Sequence, residues 1–256
     1  KEFMSRRRFF VPEIRRGLAE LSGPVAERLV RVLRAEVGQI YEISDNRDVY
    51  LAEITTARKS QIVFQVTGKL PSPAASVHLT LLPALIKFDR FEWMIEKATE
   101  LGVDVIRPVE AIRTEHGLAQ ASQKRSARWE KIGTEASQQS RRARLPVIEP
   151  TVRLEMGLQI DANVRLFLDE DPQTPPIFRQ LPENRDESDR VALLLGPEGG
   201  WTPEERKQVL AAEWVPCSLG TTILRAETAA ISGLAIVKAA WELSRNARAG
   251  RPPAEV

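Results

Sequence analysis

A chain of 256 residues exceeds one average domain, and its 43% hydrophobic and 28% charged residues exclude low-complexity disorder over most of its length. Its net charge is only +2, and no apolar run nears the 18 or so residues of a membrane helix; the best, at 191–195, stops after five. A single cysteine, Cys217, and two histidines point away from an internal disulfide and a structural zinc site, so no metal is expected and the expected compartment is the cytosol.

In chain order, Lys1-Glu2-Phe3 read as a cloning remnant before a natural start at Met4, and the basic opening lacks the apolar segment of a secretory leader. Nine Lys and Arg against four acids make residues 1–34 locally +5. A helix is predicted over 25–33, with Val25, Leu29 and Val32 on one face. Short β-rich runs follow at 40–43, 49–54 and 61–66, separated by turn signals such as Ser44-Asp45-Asn46. They describe a small β-barrel or sandwich, which the Pro/Ser/Ala stretch 71–76 ends as a linker. The expected domains are therefore residues 4–73 and 77–245.

Beyond the linker, strands alternate with helices. A strand at 77–82 leads to a helix at 89–101 closed by Gly102, then a strand-like stretch at 103–109 and a helix at 129–139. Residues 121–145 form a second basic block, seven Lys and Arg against two acids, whereas 161–190 are acidic. Two separated arginine-rich blocks suggest nucleic acid; solvated helix faces are the plainer reading. Runs 164–168 and 191–195 are apolar strands of the kind buried on both faces. Thr202-Pro203-Glu204-Glu205 carries a cap, a first-turn proline and a capping-box glutamate. After a strand at 214–217, the last helix, 226–243, is apolar on most sides and should be buried in a core or a subunit interface. The polar tail 245–256 is expected to fray. This alternation argues for an α/β domain with a mostly parallel sheet.

Two segments stand where such a sheet binds ligands. Leu195-Gly196-Pro197-Glu198-Gly199-Gly200-Trp201-Thr202 joins a buried strand to a capped helix, and glycines there let the backbone approach a ligand closely. It matches neither a phosphate loop nor a dinucleotide fingerprint, and a tight turn that merely needs glycine is the plainer alternative. Ser218-Leu219-Gly220-Thr221-Thr222-Ile223-Leu224-Arg225-Ala226-Glu227-Thr228 again runs from a strand through a glycine turn into a helix. Arg225 and Glu227 are spaced to pair with each other, and such a pair is more often structural than catalytic. No nucleophile elbow is present, and His78 and His116 read as a core strand residue and a loop residue.

Taken together, the two segments resemble the C-terminal signature of the SPOUT superfamily of RNA methyltransferases, most closely the RsmE family, which methylates N3 of a uridine in bacterial small-subunit ribosomal RNA. Residues 87–103, beginning Lys87-Phe88-Asp89-Arg90-Phe91-Glu92-Trp93, resemble that family's first SPOUT helix, and 129–142 its second. Arg7-Arg8-Phe9-Phe10 with Leu29-Val30-Arg31-Val32-Leu33-Arg34 is similar to its N-terminal barrel. There are departures: Gln138-Gln139-Ser140-Arg141-Arg142 stands where the family commonly has Glu-Gln-Ser-Gly-Arg, and Glu96 where a glutamine often precedes the lysine.

The resemblance implies a small N-terminal PUA-like β-barrel followed by a SPOUT α/β domain with a C-terminal trefoil knot. It implies S-adenosylmethionine held by Leu195, Gly196, Pro197, Glu198, Gly199, Gly200, Leu219, Gly220, Ile223 and Leu224, a homodimer, and small-subunit ribosomal RNA or the assembled small subunit as partner. Uridine N3 is a poor nucleophile until deprotonated, so the reaction needs a proton acceptor and a group to meet charge on O2 and O4. Arg225 is the expected stabiliser; Glu227 is the expected base or orients Arg225, with Glu198 its rival. Arg7, Arg8, Arg31, Arg34 and Arg142 are expected to hold phosphates. The alternatives are SPOUT ribose 2′-O methylation and a non-catalytic RNA-binding or ribosome-assembly factor; intact cofactor loops count against the second.

Overall fold

The computed structural model describes residues 8–71 and 76–248, with side chains described up to 245. Arg7, the Met4 start, most of the 71–76 linker and the end of the tail therefore lie outside the described residues. The chain divides into two compact units, one of residues 1–74 with 134–145 and the other of 75–133 with 146–256. Residues 134–145, which the sequence reading gives to the second domain, thus belong to the first unit.

In the first unit, β1 (Arg8–Phe10), β2 (Ile14–Arg15), β3 (Leu18–Ser22), α1 (Gly23–Leu33), β4 (Ile40–Ser44), β5 (Val49–Arg58) and β6 (Gln61–Lys69) form a six-stranded sheet and one helix. The order is β1-β4-β5-β6-β3-β2, antiparallel except for the β1–β4 pair. Strands β5 and β6 outrun the short predicted runs. Their polar ends, Thr55 to Arg58 and Thr67 to Lys69, pair across the sheet with two register shifts in β5–β6, so apolar alternation underestimates their length. Arg16 and Gly17, both at positive φ, make the two-residue hairpin between β2 and β3. The predicted helix forms with Pro24 in its first turn, and Leu29 joins Phe9, Ile43, Ile54, Ile62 and Phe64 in the core. Val25 and Val32 stay exposed, because the face of this short helix turned to the core carries Ala26 and Leu29, with Val30 and Leu33 packed beside them.

The second unit holds β7 (His78–Pro83), α2 (Phe88–Glu100), β8 (Val105–Ile106), β9 (Val109–Glu110), α3 (Leu118–Ser122), the start of α4 (Ser126–Gln139), β10 (Val147–Ile148), β11 (Val152–Arg153), α5 (Leu154–Gly157), β12 (Val164–Leu168), α6 (Ile177–Gln180), β13 (Arg190–Leu195), α7 (Pro203–Ala211), β14 (Val215–Cys217) and α8 (Ala226–Arg248). Its main sheet is wholly parallel, in the order β10-β8-β7-β13-β12-β14. Successive β13 residues go to opposite faces. Leu193 and Leu195 pack with Phe91, Met94, Leu234 and Val237 of α2 and α8, while Ala192 and Leu194 pack with Leu154, Trp201 and Val209. That is why the run reads as continuously apolar. The stretch 103–109 is not one strand: Pro108 has no N–H for a ladder, and β9 leaves to pair with β11 in a separate two-stranded sheet. Helix α8 lays Ala230, Leu234, Val237 and Trp241 on the core, leaves Ile231, Ala235 and Ile236 half-buried, and continues to Arg248.

Candidate functional site

The chain turns at the carboxyl ends of β7 and β13, the point where strand order reverses and open α/β sheets place ligands. The two strands stay paired to the turn, since the Ala84 N–H donates to the Leu195 carbonyl at 2.9 Å. Past Leu195 the backbone reverses: the Gly200 N–H donates to the Pro197 carbonyl at 2.9 Å, and Gly200 sits at φ +69. Thr202 then caps α7. Its hydroxyl accepts from the Glu205 N–H at 3.2 Å, and the Glu205 carboxylate accepts from the Thr202 N–H at 2.9 Å. The other Glu205 oxygen takes the Ile112 N–H at 2.7 Å, which brings the loop after β9 to this turn. From that loop, Arg113 Nη1 donates to the Gly199 carbonyl at 2.8 Å.

The glycines are needed for reasons the sequence does not display. A Cβ on Gly196 would lie 2.9 Å from the Trp201 indole nitrogen, and one on Gly199 would lie 3.2 Å from Arg113 Cβ. On Gly200 it would lie 2.7 Å from Glu170 Oε1. The neighbours that demand glycine are thus side chains of this protein, and the first loop is built tightly before any ligand is considered.

The second segment is pinned at its start, where the Ser218 N–H donates to the Pro175 carbonyl and the Ile177 N–H to the Ser218 carbonyl, each at 2.9 Å. Leu219 and Leu224 are half-buried, whereas Gly220, Arg225 and Ile223 are exposed, Ile223 by 78%. Cys217 just before it is a packed neutral thiol, pushed up to about 12 by burial and by the Asp169 carboxylate. Asp169 and Asp171, after β12, are held by Arg206 of α7, at 2.7 and 3.4 Å.

One cation ties these pieces together. Arg90 Nη1 donates to Glu198 Oε1, and Arg90 Nε lies 4.0 Å from Glu227 Oε1. Glu227 is 9% exposed, and its Oε2 is buried with no hydrogen-bond partner among the described residues. The Arg225–Glu227 pair expected from spacing is therefore replaced: side chains two residues apart at a helix start diverge, so Glu227 turns inward to α2 while Arg225 faces solvent with no ion pair among the described residues. Arg90, Arg113 and Glu170 escaped sequence reasoning: Arg90 lies inside a helix segment recognised only as a whole, and the other two carry no local motif. Glu205 is legible as the capping-box residue, but its bond to the distant Ile112 N–H is not.

The first unit corrects a second expectation. Arg8 is 8% exposed and spends its guanidinium on Glu42 (Nη2–Oε2 2.9 Å, Nε–Oε2 3.2 Å) and on the Arg141 carbonyl, so it is not available to phosphates. Arg141 also donates to Glu42, the Ser44 hydroxyl to the Ala143 carbonyl at 2.6 Å, and the Leu145 N–H to Asn46 Oδ1 at 2.7 Å. These bonds hold residues 134–145 on the first unit. Arg31 and Arg34 are exposed; Arg142 is half-buried, with Nε donating to the Arg144 carbonyl at 3.1 Å.

The profile of the RNA methyltransferase domain family matches residues 73–238. Ribosomal RNA small subunit methyltransferase E of Rickettsia conorii is 30% identical over 81% of this chain and 83% of its own length. The chain belongs to the ribosomal RNA small subunit methyltransferase E family. The Synechocystis member is 32% identical over 84% of this chain and 70% of its own, and the Bacillus subtilis member 28% identical over 88% and 91%. Among solved structures, the methyltransferase E of Neisseria gonorrhoeae bound to S-adenosyl methionine superposes with TM-score 0.82 at 26% identity, over 92% of this chain and 98% of that one. A methyltransferase of Legionella pneumophila with bound cofactor SAM gives 0.83 at 27%, over 93% and 98%. This methyltransferase E chain accordingly has an α/β fold. Among its described residues no helix is long and apolar enough to cross a membrane.

Proposed function

We propose that the chain transfers a methyl group from S-adenosylmethionine to N3 of a uridine in bacterial small-subunit ribosomal RNA. The observation that carries the reading is the junction of Glu198, Glu227 and Arg90 at the ends of two glycine-containing loops, in a chain similar throughout to the S-adenosyl methionine-bound enzyme of Neisseria gonorrhoeae. The residues fit such a cofactor. Leu219 and Leu224 with the exposed Ile223 offer apolar surface to an adenine or a methionine stem, and the turn from Gly196 to Gly200 offers main-chain groups. When bound, the cofactor supplies a methyl group on a sulfonium whose sulfur keeps the bond electrons.

The chain's own work is binding, orientation and proton handling. Glu227 is the better base than Glu198: one of its oxygens is buried and unpartnered, whereas Glu198 accepts from Arg90 and is more exposed. Arg225, exposed and unpaired among the described residues, meets charge developing on a base oxygen. In the first unit we read a PUA-like RNA-binding barrel, with Arg31, Arg34 and Arg142 on phosphates, and in the C-terminal segment a trefoil knot. The insertion of β13 between β7 and β12 supports the knotted path. We also read a homodimer: exposed Trp93 and Leu243 on α2 and α8 are surface a partner would cover, and light scattering near twice 28.7 kDa is the expected result. We also read a cytoplasmic protein, because its proposed substrate is the small ribosomal subunit. Methylation of small subunits from a strain lacking this chain, with nucleoside analysis of the product, tests the reading.

A further inference from the structure

We propose that Arg90 is a positioning residue: by bridging Glu198 and Glu227 it fixes the first loop to the start of α8 and reserves the second oxygen of Glu227 for the N3 proton of the target base. The inference rests on the methyltransferase reading above and assigns a role to a residue that reading leaves without one. Arg90 is carried on a stiff support, since Phe91, Met94, Ile95 and Ala98 of α2 are buried and α2 packs along α8. Its side chain is 34% exposed, so it closes no core, yet it reaches two carboxylates more than 100 residues away in the chain.

The two carboxylates share one guanidinium. Glu227 Oε1 faces Arg90, whereas Glu227 Oε2 is buried and accepts no hydrogen bond from the described residues. A buried carboxylate oxygen without a donor is costly, and such an oxygen in a native fold calls for a partner from outside. The imide N3–H of a uracil ring is a donor of the right kind. The proton passes from N3 to Glu227 Oε2, and the electron pair freed on N3 is the nucleophile that takes the methyl group. A carboxylate that swung away from Arg90 would lose that placement, and misplacement by about 1 Å can cost on the order of 10² in rate.

The test is a double-mutant cycle of Arg90→Gln and Glu227→Gln, with Arg90→Lys alongside, read by single-turnover methylation of small subunits. Calorimetric S-adenosylmethionine affinity and a thermal melt are measured on each variant. Arg90→Gln should slow turnover on the order of 10–10²-fold with the melt near the wild type and cofactor affinity falling far less than the rate, since Arg113 and the capping box also hold the first loop, and Arg90→Lys should recover part of the rate. In the Glu227→Gln background, removing Arg90 should cost less than about twofold more, because the group it positions is already gone. Additive losses, an unchanged Arg90→Gln rate, or parallel falls in melt and cofactor affinity would overturn the proposal. A wild-type chain inert toward every RNA would remove the methyltransferase reading itself and this proposal with it, whereas an active wild type with additive variants would remove Arg90 alone.

Discussion

Replacing Gly200 by alanine separates backbone strain from loop function. Gly200 lies at φ +69, where an L side chain costs about 1–2 kcal/mol, and its new Cβ would stand 2.7 Å from Glu170 Oε1. Glu170 is exposed, so its carboxylate can swing aside, and most of the cost is the backbone term. For a chain of this size each kcal/mol moves the melting temperature by about 2–4 °C, so a fall of roughly 2–8 °C is expected. Gly117 is the control: it sits at φ +84 with nothing within 4 Å of an added Cβ, so Gly117→Ala carries the strain without the contact. Both variants should melt lower, but only Gly200→Ala should weaken S-adenosylmethionine binding in a calorimeter, because only it displaces the first loop. Adding Glu170→Ala should relieve the contact and leave the strain. A Gly200→Ala protein with wild-type melt and affinity, or a Gly117→Ala protein that loses affinity equally, would refute the reasoning.

Three further outcomes are expected. Arg225→Ala should keep cofactor affinity and the melt but lose turnover on the order of 10²–10³-fold, and a normal single-turnover rate would remove Arg225 from the chemistry. Neutralising Arg31 and Arg34 should weaken RNA binding and flatten its salt dependence, whereas Arg8→Ala should act mainly by lowering the melt, since it strips the partner from Oε2 of the buried Glu42 and leaves Arg141 on Oε1 alone; a melt unchanged by Arg8→Ala would contradict that division. Hydrogen bonds from Arg128 and Arg125 hold the Glu92 carboxyl below its ordinary value of 4.5. That stabilisation is present above the unfolded value and is lost as pH falls through the lower folded value. Glu92→Gln should therefore cost under about 1 kcal/mol near neutrality and progressively less in acid; a difference that grew in acid would reverse the sign.

What the residues disclose is local. The five apolar residues of β13, the capping box at Thr202 and Glu205, and the glycine that closes α2 are written in adjacent positions, and the structure forms all three. Pro108 was in plain view, but its consequence was not: a strand-like run breaks where one missing N–H lets β9 choose another partner. Less still could be read where the deciding contact is distant. Arg8 counts as free basic charge until Glu42 and Arg141 are found around it, and residues 134–145 join the first unit through bonds to Glu42, Ser44 and Asn46. The candidate site divides in the same way. Both loops are legible as motifs, but Arg113 on the Gly199 carbonyl and Arg90 between two glutamates are products of the tertiary fold.

The most direct test is to incubate the purified chain with S-adenosylmethionine and small subunits from cells that lack it, digest the ribosomal RNA, and analyse the nucleosides by mass spectrometry. The expected result is one methyl group per subunit, on uridine N3, with primer extension stopping at a single position. A methyl group on a ribose 2′-oxygen, or no transfer in a chain that still binds RNA, would contradict it.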